Sequence, residues 1–292
     1  MPNCFACPRA CGADRNSVLG ICGMKNEITL ARATLHFGEE PCISGEKGSG
    51  TVFFSGCSLG CVYCQNSKIS HERFGKEISA DNLMRIFDSL IDQGANNINL
   101  VTPTHFAPLL ADILRQYKSK VPIIYNSSGY ETVDTLRSFD GLIDIYLPDL
   151  KYYDSSVSKK YSNADNYFEF ASMAILEMQR QVGTLELNED KIAVHGIMVR
   201  HLVLPGNVAQ TIKILRWINE NMPSDTAISM MNQYTPCGSA VNMHPLNRRT
   251  TKREYEKAVD AMIDLGFENG YIQESDSSGF EFIPDFNLKG IT

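Results

Sequence analysis

What the chain lacks narrows its class before any motif is considered. No uninterrupted apolar run approaches the roughly 20 residues a membrane-spanning helix needs, so no membrane association is expected. Basic residues are in the minority: 27 Lys and Arg stand against 34 Asp and Glu, a net charge of -7. That deficit argues against a broad nucleic-acid surface and against adhesion to anionic lipid. The opening text MPNCFACPRACGADR has no apolar stretch of the kind that directs export, and a cytoplasmic enzyme is the expectation. No low-complexity tract, internal repeat or evident interdomain linker interrupts the sequence. Hydrophobic residues make up 43% and charged residues 21% of 292 positions. This is the balance of a globular protein with a sizeable core, and it excludes a disordered, collagen-like or heptad-dominated chain.

Cysteine is almost absent beyond residue 64, where only Cys237 remains. The other eight crowd the first 64 positions. In a long chain without an export signal, such crowding points to metal rather than to a disulfide framework. Cys57-x3-Cys61-x2-Cys64, in FFSGCSLGCVYCQN, puts three thiolates on one tight loop. They suffice for three corners of a cubane iron–sulfur cluster, with one iron left open. Zinc is the alternative by spacing, with His71 the local candidate for a fourth ligand. The other group, Cys4-x2-Cys7-x3-Cys11-x10-Cys22, is interleaved with Pro8, Gly12, Gly20 and Gly23. It reads as a small knuckle nucleated by zinc or by a second iron–sulfur cluster, because so short a segment buries no core of its own. Cys42, in EEPCISG, reads either as a spare ligand or as a small buried apolar residue.

Beyond the knuckle, alternation over 27–38 predicts a hairpin strand. Strands are then expected at 51–55, 97–101, 122–126, 142–147, 194–204 and 227–231. Apolar stripes predict helices over 79–93, with Ser79 as N-cap and Gly94 as stop, over 207–221, and from 252 after the capping box Thr251-x-x-Glu254. The stretch 180–196 reads as a β-hairpin insertion. Six alternating units predict an α/β fold with a parallel sheet; a doubly wound sheet and an open barrel fit equally. Polar text follows the apolar strands at Thr102-Pro103-Thr104-His105, Asn126-Ser127-Ser128-Gly129, Asp149-Leu150-Lys151 and Asn232-Gln233-Tyr234. Strand alternation lets only one of Arg200 and His201 face inward, and Arg200 is preferred.

Cys57, Cys61 and Cys64, with Tyr63 before the last, resemble the signature of radical S-adenosylmethionine (radical SAM) enzymes. The surrounding GCSLGCVYCQN looks most similar to the pyruvate formate-lyase activating enzymes and their uncharacterised relatives. The resemblance implies a partial (β/α)6 barrel over 46–292; the cysteine-rich, metal-binding extension over 1–45 departs from the simplest activating enzymes, which have none. It implies a [4Fe–4S] cluster on Cys57, Cys61 and Cys64, with SAM on the open iron. Matched by position, Tyr63 would meet adenine through its backbone, Asn126 and Ser127 the ribose and carboxylate, and Asp149 and Lys151 would form an acid–base pair with the lysine at the carboxylate. Arg200 would also lie near SAM. Where the family generally carries Gly-Gly-Glu, this chain has Thr102-Pro103-Thr104. Thr102 and Thr104 would then receive the SAM amino group through backbone carbonyls and a hydroxyl, without a carboxylate.

The implied reaction is one-electron cleavage of SAM to methionine and a 5'-deoxyadenosyl radical, which takes hydrogen from a substrate. A glycyl-radical enzyme is the implied partner, with flavodoxin or ferredoxin as electron donor. Direct modification of a peptide or small molecule is the second reading, and a non-catalytic metal-binding or electron-transfer protein the third. The basic stretch 248–253 reads as a solvated helix start or as a dock for an acidic partner. Cys237 would reach the barrel mouth or stand as an isolated thiol, and the tail with Phe280, Phe282 and Phe286 would cover the opening or pack on the sheet.

Overall fold

The computed structural model describes residues 3–273 and 284–291; Phe280 and Phe282 fall outside them. Its strands are β1 (Thr29–His36), β2 (Ser49–Phe54), β3 (Lys76–Glu77), β4 (Ile98–Val101), β5 (Ile123–Ser127), β6 (Ile145–Pro148), β7 (Glu186–Leu187), β8 (Ala193–Leu202), β9 (Ala227–Met231) and β10 (Gly270–Ile272). Between them run α1 (Pro41–Ser44), α2 (Ser67–Ser70), α3 (Ala80–Asp92), α4 (Ala107–Gln116), α5 (Val133–Arg137), α6 (Ser155–Ser162), α7 (Tyr167–Val182), α8 (Val208–Asn221) and α9 (Lys252–Asp264). Among the described residues the sheet order is β10-β9-β8-β6-β5-β4-β2-β1-β3, and its ends do not pair with each other, so the barrel is open. From β2 to β10 the neighbours along this path are parallel, while β1 pairs antiparallel with both β2 and β3.

Helix boundaries follow local chemistry. Ser79 Oγ accepts from the Asn82 amide and starts α3, and Gly94 turns the chain at φ +94 beyond its end. Thr251 and Glu254 close both halves of the capping box of α9. The hairpin expected over 180–196 is shorter than its text suggested. Arg180, Gln181 and Val182 finish α7, and only β7 and the start of β8 form the hairpin.

Alternation along the strands divides the side chains between two environments. Ile123, Tyr125, Tyr146, Ile197 and Val199 join the large core shared with the helices. Ile124, Ile145, Leu147, Met198 and Ala227 form a second cluster, and Cys42 and Ile43 of α1 pack into it. The β1–β2 connection therefore plugs the barrel from inside. Asn97 Nδ2 holds the Ile43 carbonyl at 2.8 Å, and Asn96 Nδ2 holds that of Ser44 at 2.7 Å. Cys42 is a buried packing residue of this plug rather than a spare ligand. Above the apolar tier the inward positions turn polar, and the functional cavity begins.

Candidate functional site

The loop after β2 carries Cys57, Cys61 and Cys64 to the carboxyl ends of the parallel strands, where catalytic groups of such sheets collect. All three thiols border one cavity of about 240 Å³. Each sulfur has a donor in the protein. Cys57 Sγ receives the amides of Leu59 at 3.4 Å and Gly60 at 3.5 Å, Cys61 Sγ the Ser162 hydroxyl at 3.1 Å, and Cys64 Sγ the Ser70 hydroxyl at 3.2 Å. Burial pushes the Cys64 thiol up to about 12 and raises that of Cys57, so metal bound to these two sulfurs would displace their protons. Among the described residues, no three His, Cys, Asp or Glu side chains converge tightly enough to grip a single ion. His71 is exposed, with Nδ1 3.3 Å from the Ser70 hydroxyl. Thiolates on a cubane each meet a different iron and need no such convergence, so the donor set fits a cluster.

The opposite wall is charged. Arg200 Nε meets Asp149 Oδ1 at 3.0 Å, its Nη1 meets Glu39 at 3.2 Å, and its Nη2 meets the Asn126 side-chain oxygen at 2.5 Å. Lys151 Nζ meets Asp149 Oδ2 at 2.6 Å. Burial alone would raise the Asp149 carboxyl, but Arg200 and Lys151 together hold it below the usual range. Every nitrogen of the guanidinium is thus engaged by protein, whereas one bond to Asp149 leaves two of the three lysine protons. Lys151 is the cation equipped to meet an added carboxylate. His201 points the other way, as strand alternation requires, with Nδ1 2.6 Å from the Leu150 carbonyl and Nε2 2.9 Å from Thr211. Burial lowers its pKa to about 4.

Tyr63, Thr102, Asn126, Ser127, Asp149, Lys151 and Arg200 all line the cavity with the three cysteines. Thr104 does not. A 3-10 turn over Thr104–Phe106 carries it under the sheet, where its hydroxyl donates to Glu131 at 2.6 Å. Thr102 stays at the wall with φ +61, a left-handed conformation that a β-branched residue adopts only under constraint. Its amide donates to the Asn126 carbonyl at 2.8 Å.

Glu39 was not singled out from sequence. It reaches the cavity on the plug, accepts also from Asn99 Nδ2 at 3.2 Å, and is raised by burial while Arg200 pulls against the rise. Its only local signal was the acidic pair in front of Pro41. Cys237 is half-buried with its thiol 3.1 Å from the Tyr63 carbonyl, and it is not among the residues that line the cavity. Phe286 packs edge-on against Phe53 of the cavity wall, with ring centroids 5.4 Å apart. Two basic residues of 248–253 pair with acids of α9: Arg248 with Glu254 at 2.7 Å and Lys252 with Glu256 at 3.6 Å.

The N-terminal thiols also gather. Cys7 feels the charges of Cys22 and Cys4, and Cys22 those of Cys4 and Cys11. Among the described residues no helix is long and apolar enough to cross a membrane.

Comparison with known proteins places the geometry in context. Residues 51–218 match the radical SAM superfamily. An uncharacterized protein of Methanocaldococcus jannaschii, MJ0674, is 30% identical over 268 residues, covering 88% of this chain and 73% of that protein. The solved structure of HydG, a maturase of the [FeFe]-hydrogenase, aligns with a TM-score of 0.50 at 13% identity, over 74% of this chain and 48% of HydG. Streptococcus suis SuiB aligns with a TM-score of 0.49 at 12% identity, over 77% and 48% respectively. The chain spans about half the length of these two structures. The HydG likeness is one of fold.

Proposed function

The chain belongs to the radical SAM superfamily, and from that premise we propose that it activates a glycyl-radical partner enzyme by hydrogen abstraction. The observation that carries the radical SAM chemistry is the set of three cavity-facing thiols, each with its own hydrogen-bond donor, opposite a wall of fixed charge. When bound, the [4Fe–4S] cluster and SAM supply one-electron cleavage of a carbon–sulfur bond and the hydrogen abstraction that follows from it. The protein binds, orients and shields. Cys57, Cys61 and Cys64 hold the cluster. Lys151 offers its remaining protons to the SAM carboxylate, and Asp149 fixes where that ammonium sits. Arg200 keeps Asn126 turned so that its amide nitrogen stays available to a ligand. Phe53, Leu59 and Leu202 keep water from the reacting atoms.

The glycyl-radical role draws its support from the GCSLGCVYCQN text and its similarity to activating enzymes. A one-electron donor such as flavodoxin or ferredoxin completes this reading. We also assign Cys4, Cys7, Cys11 and Cys22 to a second iron–sulfur centre, because the four thiols lie near one another while no three described side chains converge on a single ion as zinc requires.

One observation favours direct modification of a small molecule or peptide instead. Beyond Arg200 the cavity adjoins another of about 260 Å³, whose wall includes Glu39, Glu40 and Ser229. Glu39 there is already paired with Arg200, whereas Glu40 Oε2 is buried without a hydrogen-bond partner among the described residues and suits a substrate with a cationic group. Incubation of reduced protein and SAM with a glycyl-radical enzyme separates the two readings. A glycyl doublet in the EPR spectrum of the partner supports activation. SAM cleavage driven by a small amine or peptide, without that doublet, supports the second.

A further inference from the structure

We infer that the N-terminal cysteine segment braces the cluster loop and that Arg9 is the positioning residue through which it does so; this rests on the radical SAM reading above. Arg9 lies between Cys7 and Cys11. Its Nε donates to the Ser58 carbonyl at 2.8 Å and its Nη2 to the Leu59 carbonyl at 3.0 Å, both between Cys57 and Cys61. Nη2 also donates to the Ser162 carbonyl at 2.7 Å, and Nη1 to that of Asn163.

The last two carbonyls end a helix. Ser162 closes α6, and Asn163 caps it in the left-handed conformation at φ +47. Terminal helix carbonyls lack partners within the helix and carry the negative end of its dipole, so a guanidinium suits them. The same Ser162 sends its hydroxyl to Cys61 Sγ. One side chain therefore fixes both the loop that carries Cys61 and the helix end that supplies the Cys61 hydrogen bond. The Tyr130 ring covers the guanidinium, its centroid 5.4 Å from Cζ.

The backbone beneath Arg9 is itself held. Ala10 donates to the Cys7 carbonyl at 3.0 Å, Gly12 to that of Cys4 at 3.1 Å, and Cys4 to that of Ala13 at 3.0 Å. Arg15, 1% exposed, locks this turn from below by donating to the carbonyls of Met24, Lys25 and His105. A second strut runs from the Cys57 amide to the Cys22 carbonyl at 3.2 Å. That approach demands Gly56, at φ +82: a Cβ there would stand 2.8 Å from the Cys22 oxygen. Both struts start within the four-cysteine segment. Metal that tightens this segment tightens the cluster loop, and an occupied cluster loop favours metal in the segment by the same factor.

The test uses full-length protein reconstituted anaerobically as wild type, Arg9→Ala and Arg9→Lys. The readouts are the rate at which a chelator strips iron from the Cys57/Cys61/Cys64 site and the change SAM makes in the EPR spectrum of the reduced cluster. A parallel background with all three of these cysteines changed to alanine reports, by metal analysis, on the N-terminal segment alone. The brace predicts iron loss about 10- to 100-fold faster in Arg9→Ala, the scale of a lost hydrogen bond from a charged donor, together with a diminished SAM effect. In the parallel background Arg9→Ala keeps its metal. Lysine, a single ammonium, cannot span four carbonyls and does not restore the slow rate. Wild-type rates in Arg9→Ala or in Arg9→Lys overturn the brace. A wild-type spectrum unmoved by SAM contradicts the radical SAM reading instead, and the iron-loss rates still judge the brace.

Discussion

Asp149 and Arg200 meet at 3.0 Å across the parallel strands β6 and β8, and the same carboxylate holds Lys151 at 2.6 Å. The three side chains are only 11–16% exposed. Removing one member of such a buried set strands the others, at a cost of roughly 3–5 kcal/mol. Asp149→Asn, which keeps the shape and removes the charge, is therefore expected to lower the stability of the loaded protein by about that amount. Denaturant midpoints check it; a loss below about 0.5 kcal/mol, the scale of a surface substitution, would mean that the charges are solvated.

Lys151 carries the spare protons of the wall. Lys151→Ala is expected to weaken SAM binding to the cluster-loaded protein by about 10- to 100-fold, the equivalent of one charge-assisted hydrogen bond. Equilibrium dialysis measures the change, and unaltered affinity would move the carboxylate elsewhere in the cavity.

Ser162 donates its hydroxyl to Cys61 Sγ at 3.1 Å, so on the proposed reading it would tune the cluster. A hydroxyl donated to a ligand sulfur stabilises the reduced, more negative state. Ser162→Ala should shift the potential to more negative values by roughly 40 mV, taking about 1 kcal/mol for the lost bond in a one-electron couple. Redox-poised EPR reads this shift, and a change of opposite sign would refute the assignment of the donor.

Glu131 is one of two buried carboxyls, with Glu39, that burial raises to about 7 and that contribute to the pH dependence. At Glu131 the rise runs against the hydrogen bonds of Thr104, Ser127 and Tyr125 that pull it down. A carboxyl whose folded pKa exceeds its unfolded value binds more protons when folded. Stability then falls as pH rises from about 4.5, the unfolded value, towards 7, on the order of 2–3 kcal/mol for this group. Glu131→Gln is expected to flatten that part of the stability–pH curve. An unchanged slope in urea melts would show that the group titrates normally.

Much of this arrangement was legible in the sequence. The strand pattern located β2, β4, β5, β6, β8 and β9 to within a few residues, because buried strands concentrate apolar text, but it missed the three-residue parallel strand β10 at the sheet edge. Ser79 and Thr251 marked helix starts because capping is local chemistry. The paired inward and outward positions of Arg200 and His201 followed from the two-residue repeat of a strand. Features created by long-range packing were hidden. Glu39 enters the cavity because α1 inserts into the barrel, and no periodicity announces that a four-residue helix will do so. Thr104 leaves the wall because the chain turns immediately after Pro103, placing neighbouring threonines in different environments. Arg9 gave no sign of its reach, since its partners lie about 50 and 150 positions away, where no local preference operates.

Reductive cleavage of SAM is the central claim, and one measurement tests it most directly. Anaerobically reconstituted protein is incubated with SAM and dithionite, and 5'-deoxyadenosine is followed by mass spectrometry. EPR of the reduced cluster is recorded with and without SAM on the same samples. Wild-type protein is expected to form 5'-deoxyadenosine and to show a SAM-dependent spectrum, while Cys61→Ala does neither. Wild-type protein with a full cluster that forms none, and whose spectrum SAM leaves unchanged, would contradict the claim.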